Sequence, residues 1–276
     1  MENSHSAESF WQVSLLKAMY VFTRRKMLGL VLLIVSSWAL ALYAFVYYRW
    51  GASGPSLIST RRSDSPYQII EIQPGVLKLP SPVTAGTMSI EEAIFRRRSK
   101  REYLDKPLDG FQLSQLLWAS QGITEPKSGL RVTPSAGGTY PLEVYAVVGE
   151  NCVKDLRAGI YRYSPKDHTI VLVASGDFRT DLSAAALNQE WVAKARVNFV
   201  VTAVYERTTQ VYGSRGIRYV NMEAGHVGQN VYLIATAMGL GGVVIGAFHD
   251  EQVQSVLRLP KDQVPLYVIP VGYPKE

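Results

Sequence analysis

A single cysteine, Cys152, is all that the 276-residue chain contains, so no internal disulfide can form and cysteine usage says nothing about redox compartment. A thiol-based catalytic centre is not expected either. The four histidines, His5, His168, His226 and His249, lack the short spacings of metal sites, and no metal is expected. Charge is also sparse: 19% of residues are charged, for a net +6. Of this, the first fifty residues hold +3, with Lys17, Arg24, Arg25, Lys26 and Arg49 set against Glu2 and Glu8. The remainder is too mild to bring in nucleic acid as a partner. A dinucleotide fingerprint is missing too. The glycine-rich Leu240–Phe248 segment does not read G-x-G-x-x-G and follows a helical stretch rather than a strand.

What the chain does have, first, is an uncharged apolar run from Met27 to Tyr48. Its length of about 22 residues makes a helix of roughly 30 Å, enough to span a bilayer. Arg24, Arg25 and Lys26 guard one end, and Tyr43, Phe45, Tyr47, Tyr48 and Trp50 crowd the other. The expected organisation is a cytoplasmic basic tail over 1–26 and a transmembrane helix or uncleaved signal anchor over 27–48. A Gly/Ser/Pro-rich linker then covers 49–86 and a catalytic domain 87–276. Such a chain is a single-pass membrane protein, with the extracytoplasmic side preferred for its domain. Thr23–Leu28 also resembles a twin-arginine export signal, the alternative to a plain basic flank.

In the globular part, Ser89-Ile90-Glu91-Glu92 has the S-x-x-E form that opens a helix. Phe111, Leu113, Leu116, Leu117 and Trp118 predict a second helix, ending at Gly122 in a left-handed cap. Strands are predicted at 144–148, at 159–163 and 169–173 as a hairpin, at 197–205 and at 266–271. The apolar 197–205 run reads as a central strand covered on both faces. A core helix over 218–239 carries Ala224, Gly225, Gly228, Ala235 and Gly239, small residues that admit a close neighbour. No regular βαβ repeat appears. The class predicted is α+β, a mixed sheet flanked by helices and preceded by one transmembrane helix.

Two constellations carry chemistry. In Arg96-Arg97-Arg98-Ser99-Lys100-Arg101, the side chains of Arg97, Ser99 and Arg101 suit a phosphate monoester, because guanidinium forks match phosphate oxygens. A solvated basic helix end is the alternative. Thr133–Pro141 combines glycines and hydroxyls just before a strand, which lets backbone amides approach a planar ligand; a surface turn is the alternative.

Taken in order, the RRSxR run, LSQLLWASQGIT, PSAGGTYPLEVYAVV, YGSRGIRYVNMEAGHVGQN and GLGGVVIGAF resemble the FMN-dependent nitroreductase superfamily over residues 87–274. Within it they are most similar to the SagB-type branch of thiazoline and oxazoline oxidase-like dehydrogenases. That resemblance implies a nitroreductase-like fold and a homodimer with FMN at the subunit interface. It assigns Arg97, Ser99 and Arg101 to the phosphate and ribityl chain. Pro134, Ser135, Ala136 and Gly137 fall to the ring, across the dimer, and Asn188 to its pyrimidine side. Val244, Ile245, Gly246 and Ala247 present backbone N–H groups to the flavin N5. Tyr212 matches the tyrosine of a family Lys-Tyr pair and is the candidate proton relay, but Val211 replaces the lysine, which puts azoline oxidation in doubt. Glu223 and His226 read as structural. The implied activity is hydride transfer through the flavin to or from a small or peptide-derived substrate, with NAD(P)H as electron donor. A non-catalytic flavin-binding scaffold in a membrane-associated peptide-modifying complex is the alternative.

Overall fold

In the computed structural model, which describes residues 68–275, the first element is a hairpin where the sequence predicted a spacer. Strands β1 (Ile70–Gln73) and β2 (Val76–Lys78) turn at Pro74-Gly75, with Gly75 at φ 76°. This Pro-Gly pair is turn chemistry rather than linker chemistry. Ile69 and Leu77 pack on the main core. The chain then stays pinned: Gln115 both donates to the Val83 carbonyl (2.9 Å) and accepts from its N–H (3.0 Å). The apolar run 27–48, the basic tail 1–26 and the linker before residue 68 lie outside the described residues. Among the described residues, no helix is long and apolar enough to cross a membrane.

Helix α1 (Ile90–Arg96) starts at Ser89, whose hydroxyl accepts the Glu92 N–H as the S-x-x-E pattern requires. Helix α2 (Gly110–Gln121) opens with a reciprocal Asp109–Gln112 capping box. It stops at Gly122, which is extended (φ −60°, ψ 153°) rather than left-handed. The glycine answers a different need there, since a Cβ would lie 2.2 Å from the Trp118 ring.

A short hairpin, β3 (Ile123–Glu125) and β4 (Leu130–Arg131), precedes the central strands. These are β5 (Leu142–Val148), β6 (Gly159–Ser164) and β7 (Thr169–Ser175). After them come α3 (Arg179–Ala185), α4 (Glu190–Lys194), β8 (Val197–Ala203) and α5 (Glu206–Tyr212). The long α6 (Arg215–Ala237), β9 (Gly241–Gly242), α7 (Asp250–Leu257) and β10 (Val264–Gly272) complete the order.

The eight-stranded sheet runs β1-β2-β7-β6-β5-β8-β10-β9. It was expected to be mixed, yet each named strand pair is antiparallel. Parallel geometry among the described residues is confined to isolated bridges such as Ser99↔Gly242. As predicted, β8 is central and wholly buried, and its period of two sends side chains to two cores. Phe199 and Val201 meet Leu113, Leu116 and Leu117 of α2 and Val220, Val227 and Val231 of α6. Val200 meets Leu182 of α3, Val192 of α4 and Leu257 of α7. Burial of each such side chain contributes about 1.5–3 kcal/mol. The fold is therefore α+β with helices on both faces of the sheet.

One buried polar network ties the incoming chain to this frame. His168, at φ 49° in the β6–β7 turn, has Nε2 2.9 Å from the Pro80 carbonyl and 2.7 Å from Ser114 Oγ, while Nδ1 is 2.9 Å from the Tyr163 hydroxyl. A neutral ring that donates from Nε2 and accepts at Nδ1 satisfies all three. Burial pushes the imidazole below its ordinary 6.5, so the unfolded chain takes up the proton first as pH falls. The stability contributed is complete above about pH 6.5 and lost as pH falls through the lower folded value. Melting temperatures at pH 8 and 5.5 should fall more steeply in the parent than in His168→Gln; equal slopes would remove His168 from the pH response.

Candidate functional site

Past α1 the chain leaves the helix at Arg97 (ψ 122°), and Arg97 and Ser99 both meet Tyr232 while Arg101 meets Trp191. The segment is tied down by the Lys100 N–H, which donates to the Gly242 carbonyl at 2.9 Å. Four arginines sit in this run, and the structure sorts them. Arg96 pairs with Glu92 at 2.7 Å. Arg98 donates to the Phe95 and Arg97 carbonyls at 2.9 and 2.7 Å. Arg97 and Arg101 have no carboxylate partner among the described residues. Instead the Arg97 guanidinium lies 5.0 Å above the Tyr232 ring and that of Arg101 5.4 Å above the Trp191 ring.

Tyr232, on α6, joins the basic run to the second glycine-rich segment. Its hydroxyl is 2.9 Å from Ser99 Oγ and accepts the Val244 N–H at 2.9 Å. Sequence reasoning missed it. The available signal was Gly228, one turn earlier on the same helix face, where a Cβ would stand 3.2 Å from Val244 Cγ2. Gly228 thus permits the close approach expected of the small residues on α6, whereas Gly225 faces open space and Gly239 caps the helix at φ 69°.

The Val244–Ala247 segment divides in two. The Val244 N–H is taken by Tyr232 and the Ile245 N–H by the Val268 carbonyl at 2.9 Å. Only Gly246 and Ala247 keep N–H groups without an acceptor among the described residues, and both are exposed. Gln189 donates to the Ala247 carbonyl at 2.8 Å. This brings the α3–α4 corner beside the segment, with exposed Asn188 at φ 57°.

Pro134, Ser135, Ala136 and Gly137 lie elsewhere. Ser135 Oγ accepts the Tyr140 N–H at 2.9 Å across a tight turn with Gly137 at φ 60° and Gly138 at φ 65°. Tyr212 rests on this turn, its hydroxyl 2.5 Å from where a Gly137 Cβ would be, and its ring packs edge-on to Tyr219 at 5.2 Å. Thr139 and Thr208 join the turn to α5 at 2.8 Å. Val211, at the position of the expected lysine, is exposed. The turn reaches α6 through Asn230, which donates to Thr133 at 3.2 Å. Asn230 and Tyr232 are two residues apart, about 200° around the helix, so the turn and the basic run approach α6 from opposite sides. No hydrogen bond or ring contact among the described residues joins the two groups directly.

Among the described residues no three His, Cys, Asp or Glu side chains gather to hold a metal. Cys152 is buried, and burial pushes its thiol above the ordinary range.

A sequence profile of the nitroreductase family matches residues 94–273, which contain every candidate site residue named above. The chain belongs to the nitroreductase family. The Methanocaldococcus jannaschii protein MJ1384, assigned to the nitroreductases, is 44% identical over 185 residues, covering 67% of this chain and 91% of that protein. The microcin B17-processing protein McbC of Escherichia coli is 28% identical over 160 residues, 56% of this chain and 59% of McbC. A crystal structure assigned to the nitroreductases, from Ralstonia eutropha JMP134, superposes with a TM-score of 0.64 at 27% identity, covering 78% of this chain and 97% of that one. As a nitroreductase, the chain is an oxidoreductase, which displaces the non-catalytic scaffold as a reading.

Proposed function

We propose that the chain is an FMN-dependent oxidoreductase of the SagB-type branch, acting as a homodimer on a small or peptide-derived substrate with NAD(P)H as electron donor. One observation carries this reading: of four neighbouring arginines, two are spent on the protein itself, and two, Arg97 and Arg101, which flank Ser99 along the chain, are stacked on aromatic rings with no carboxylate partner among the described residues. Such an unpaired, forked pair suits a phosphate dianion. Gly246 and Ala247 supply the free N–H groups that a flavin ring accepts from, while Val244 and Ile245 shape the segment with their own N–H groups already engaged. Asn188, beside Ala247, is assigned to the pyrimidine edge.

The separation of the two groups around α6 supports the homodimer, because a second copy can supply Pro134–Gly137 to a site that the basic run begins. Bound FMN supplies two-electron hydride chemistry at N5. The protein's own work is to fix the phosphate, hold the ring by backbone amides and place the Tyr212 hydroxyl, which rests on the glycine turn, to hold or pass a proton. Since Val211 gives no amine base, we assign a substrate whose oxidation or reduction does not need one. Likeness to McbC supports the peptide-derived class. The 27–48 run is assigned as the membrane tether.

The full chain, purified in detergent with FMN supplied, should be yellow. Its flavin absorbance should bleach anaerobically with NAD(P)H and return on adding a quinone. Protein that stays colourless at saturating FMN overturns the reading.

A further inference from the structure

Glu223 sits on α6 with only 2% of its surface exposed, and nothing assigned so far uses it. Burying a carboxyl is costly unless it is partnered, and here the partnering is incomplete. Ser135 and Gln121 face it and favour its charged form, with Arg131 as the nearby cation, yet burial outweighs them and raises its pKa. Glu223 Oε1 and Gln121 Nε2 both remain outside hydrogen-bond geometry.

The neighbours form a ring around the base of the glycine turn. Arg131 donates to Gln121 Oε1 at 2.9 Å, and its guanidinium lies 4.4 Å over the Tyr140 ring. Ser135 Oγ already accepts the Tyr140 N–H, so its hydroxyl proton is free to donate, and Glu223 is the acceptor facing it. What the ring encloses needs holding. Gly137, Gly138 and Tyr140 take φ of 60°, 65° and 45°, and a non-glycine residue there costs about 1–2 kcal/mol.

We propose that Glu223 is a positioning residue: its carboxyl, set beside Gln121 and Arg131, holds the Ser135 hydroxyl and thereby the Pro134–Tyr140 turn on which Tyr212 rests. The inference builds on the proposed flavin site but is tested without flavin. Hydrogen–deuterium exchange is measured at the Tyr140 amide in the FMN-free full chain. Glu223→Ala should speed exchange at least about 10-fold, whereas Glu223→Gln, which keeps an acceptor, should stay within about 3-fold of the parent. Ser135→Ala should match Glu223→Ala, with no further gain in the double variant. Arg97→Ala should leave this amide unchanged. If the Ala variant does not fold, Glu223→Asp serves, since it withdraws the carboxyl by one methylene and should speed exchange likewise.

Parent-like exchange in Glu223→Ala or Glu223→Asp, or additive effects with Ser135→Ala, overturns the proposal. With FMN present, Glu223→Ala should also weaken binding about 10-fold and Glu223→Gln restore it. A parent chain that never takes up FMN defeats the flavin reading, while Tyr140 exchange still decides Glu223.

Discussion

Replacing Arg97 and Arg101 together with alanine is expected to raise the dissociation constant for FMN by about 10²- to 10⁴-fold. Each guanidinium–phosphate interaction is charge-assisted and is worth roughly 1.5–3 kcal/mol, and about 1.4 kcal/mol is a factor of ten. Arg97 is half-buried and Arg101 exposed, which places the expected effect toward the lower end. Aromatic stacking of both guanidinium groups, on Tyr232 and Trp191, holds the forks ready before ligand arrives. Lysine at these positions should therefore recover only part of the affinity. The neighbours serve as controls within the same helix end. Arg96→Ala removes an exposed pair with Glu92, and Arg98→Ala removes backbone contacts, so both should stay within about threefold of the parent in a fluorescence titration. Equal losses at all four positions would mean a diffuse basic patch rather than a clamp, and unchanged affinity in the double variant would move the phosphate elsewhere.

That sorting of arginines marks where sequence reading reaches its limit. Helix starts were legible because capping is local: Ser89 and Glu92 are three residues apart, and the hydroxyl accepts the N–H that the pattern specifies. The central strand was legible because seven consecutive buried residues leave no polar face to misread. Long-range pairing was not. The 70–78 hairpin joins the sheet through β2 and β7, more than ninety residues apart along the chain, and its Pro-Gly turn has the same composition as a linker. Gly122 and Gly75 look alike as letters, yet one avoids a tryptophan ring and the other supplies a positive φ. Within the site, both glycine-rich segments and the basic run were legible as segments. Which donors remain free was not, because this depends on Tyr232, Val268 and Glu92, partners whose distance only the fold sets.

Gly242 is where the frame and the site meet, and Gly242→Ala should lower the melting temperature by roughly 3–10 °C. A Cβ there would stand 2.7 Å from the Pro270 carbonyl oxygen and 3.2 Å from Val271 Cγ2. A flexible side chain could swing aside, but a carbonyl in a central strand cannot, so β9 must move off β10. Overpacking of this kind costs about 1–3 kcal/mol, and in a domain of this size each kcal/mol is worth about 2–4 °C. The displacement should reach ligand binding as well, since the Gly242 carbonyl accepts the Lys100 N–H between Ser99 and Arg101, and Val244 follows two residues later. FMN affinity should fall about tenfold although no residue assigned to the cofactor has been replaced. Gly225→Ala is the matched control. It adds the same methyl to α6 where nothing lies within 4 Å, so the helix should gain about 0.5–1 kcal/mol from reduced backbone freedom. The two alanines should thus shift the melting temperature in opposite directions. If Gly242→Ala melts like Gly225→Ala, β9 has room to spare, and the clamp is not positioned by the close pairing of these two strands.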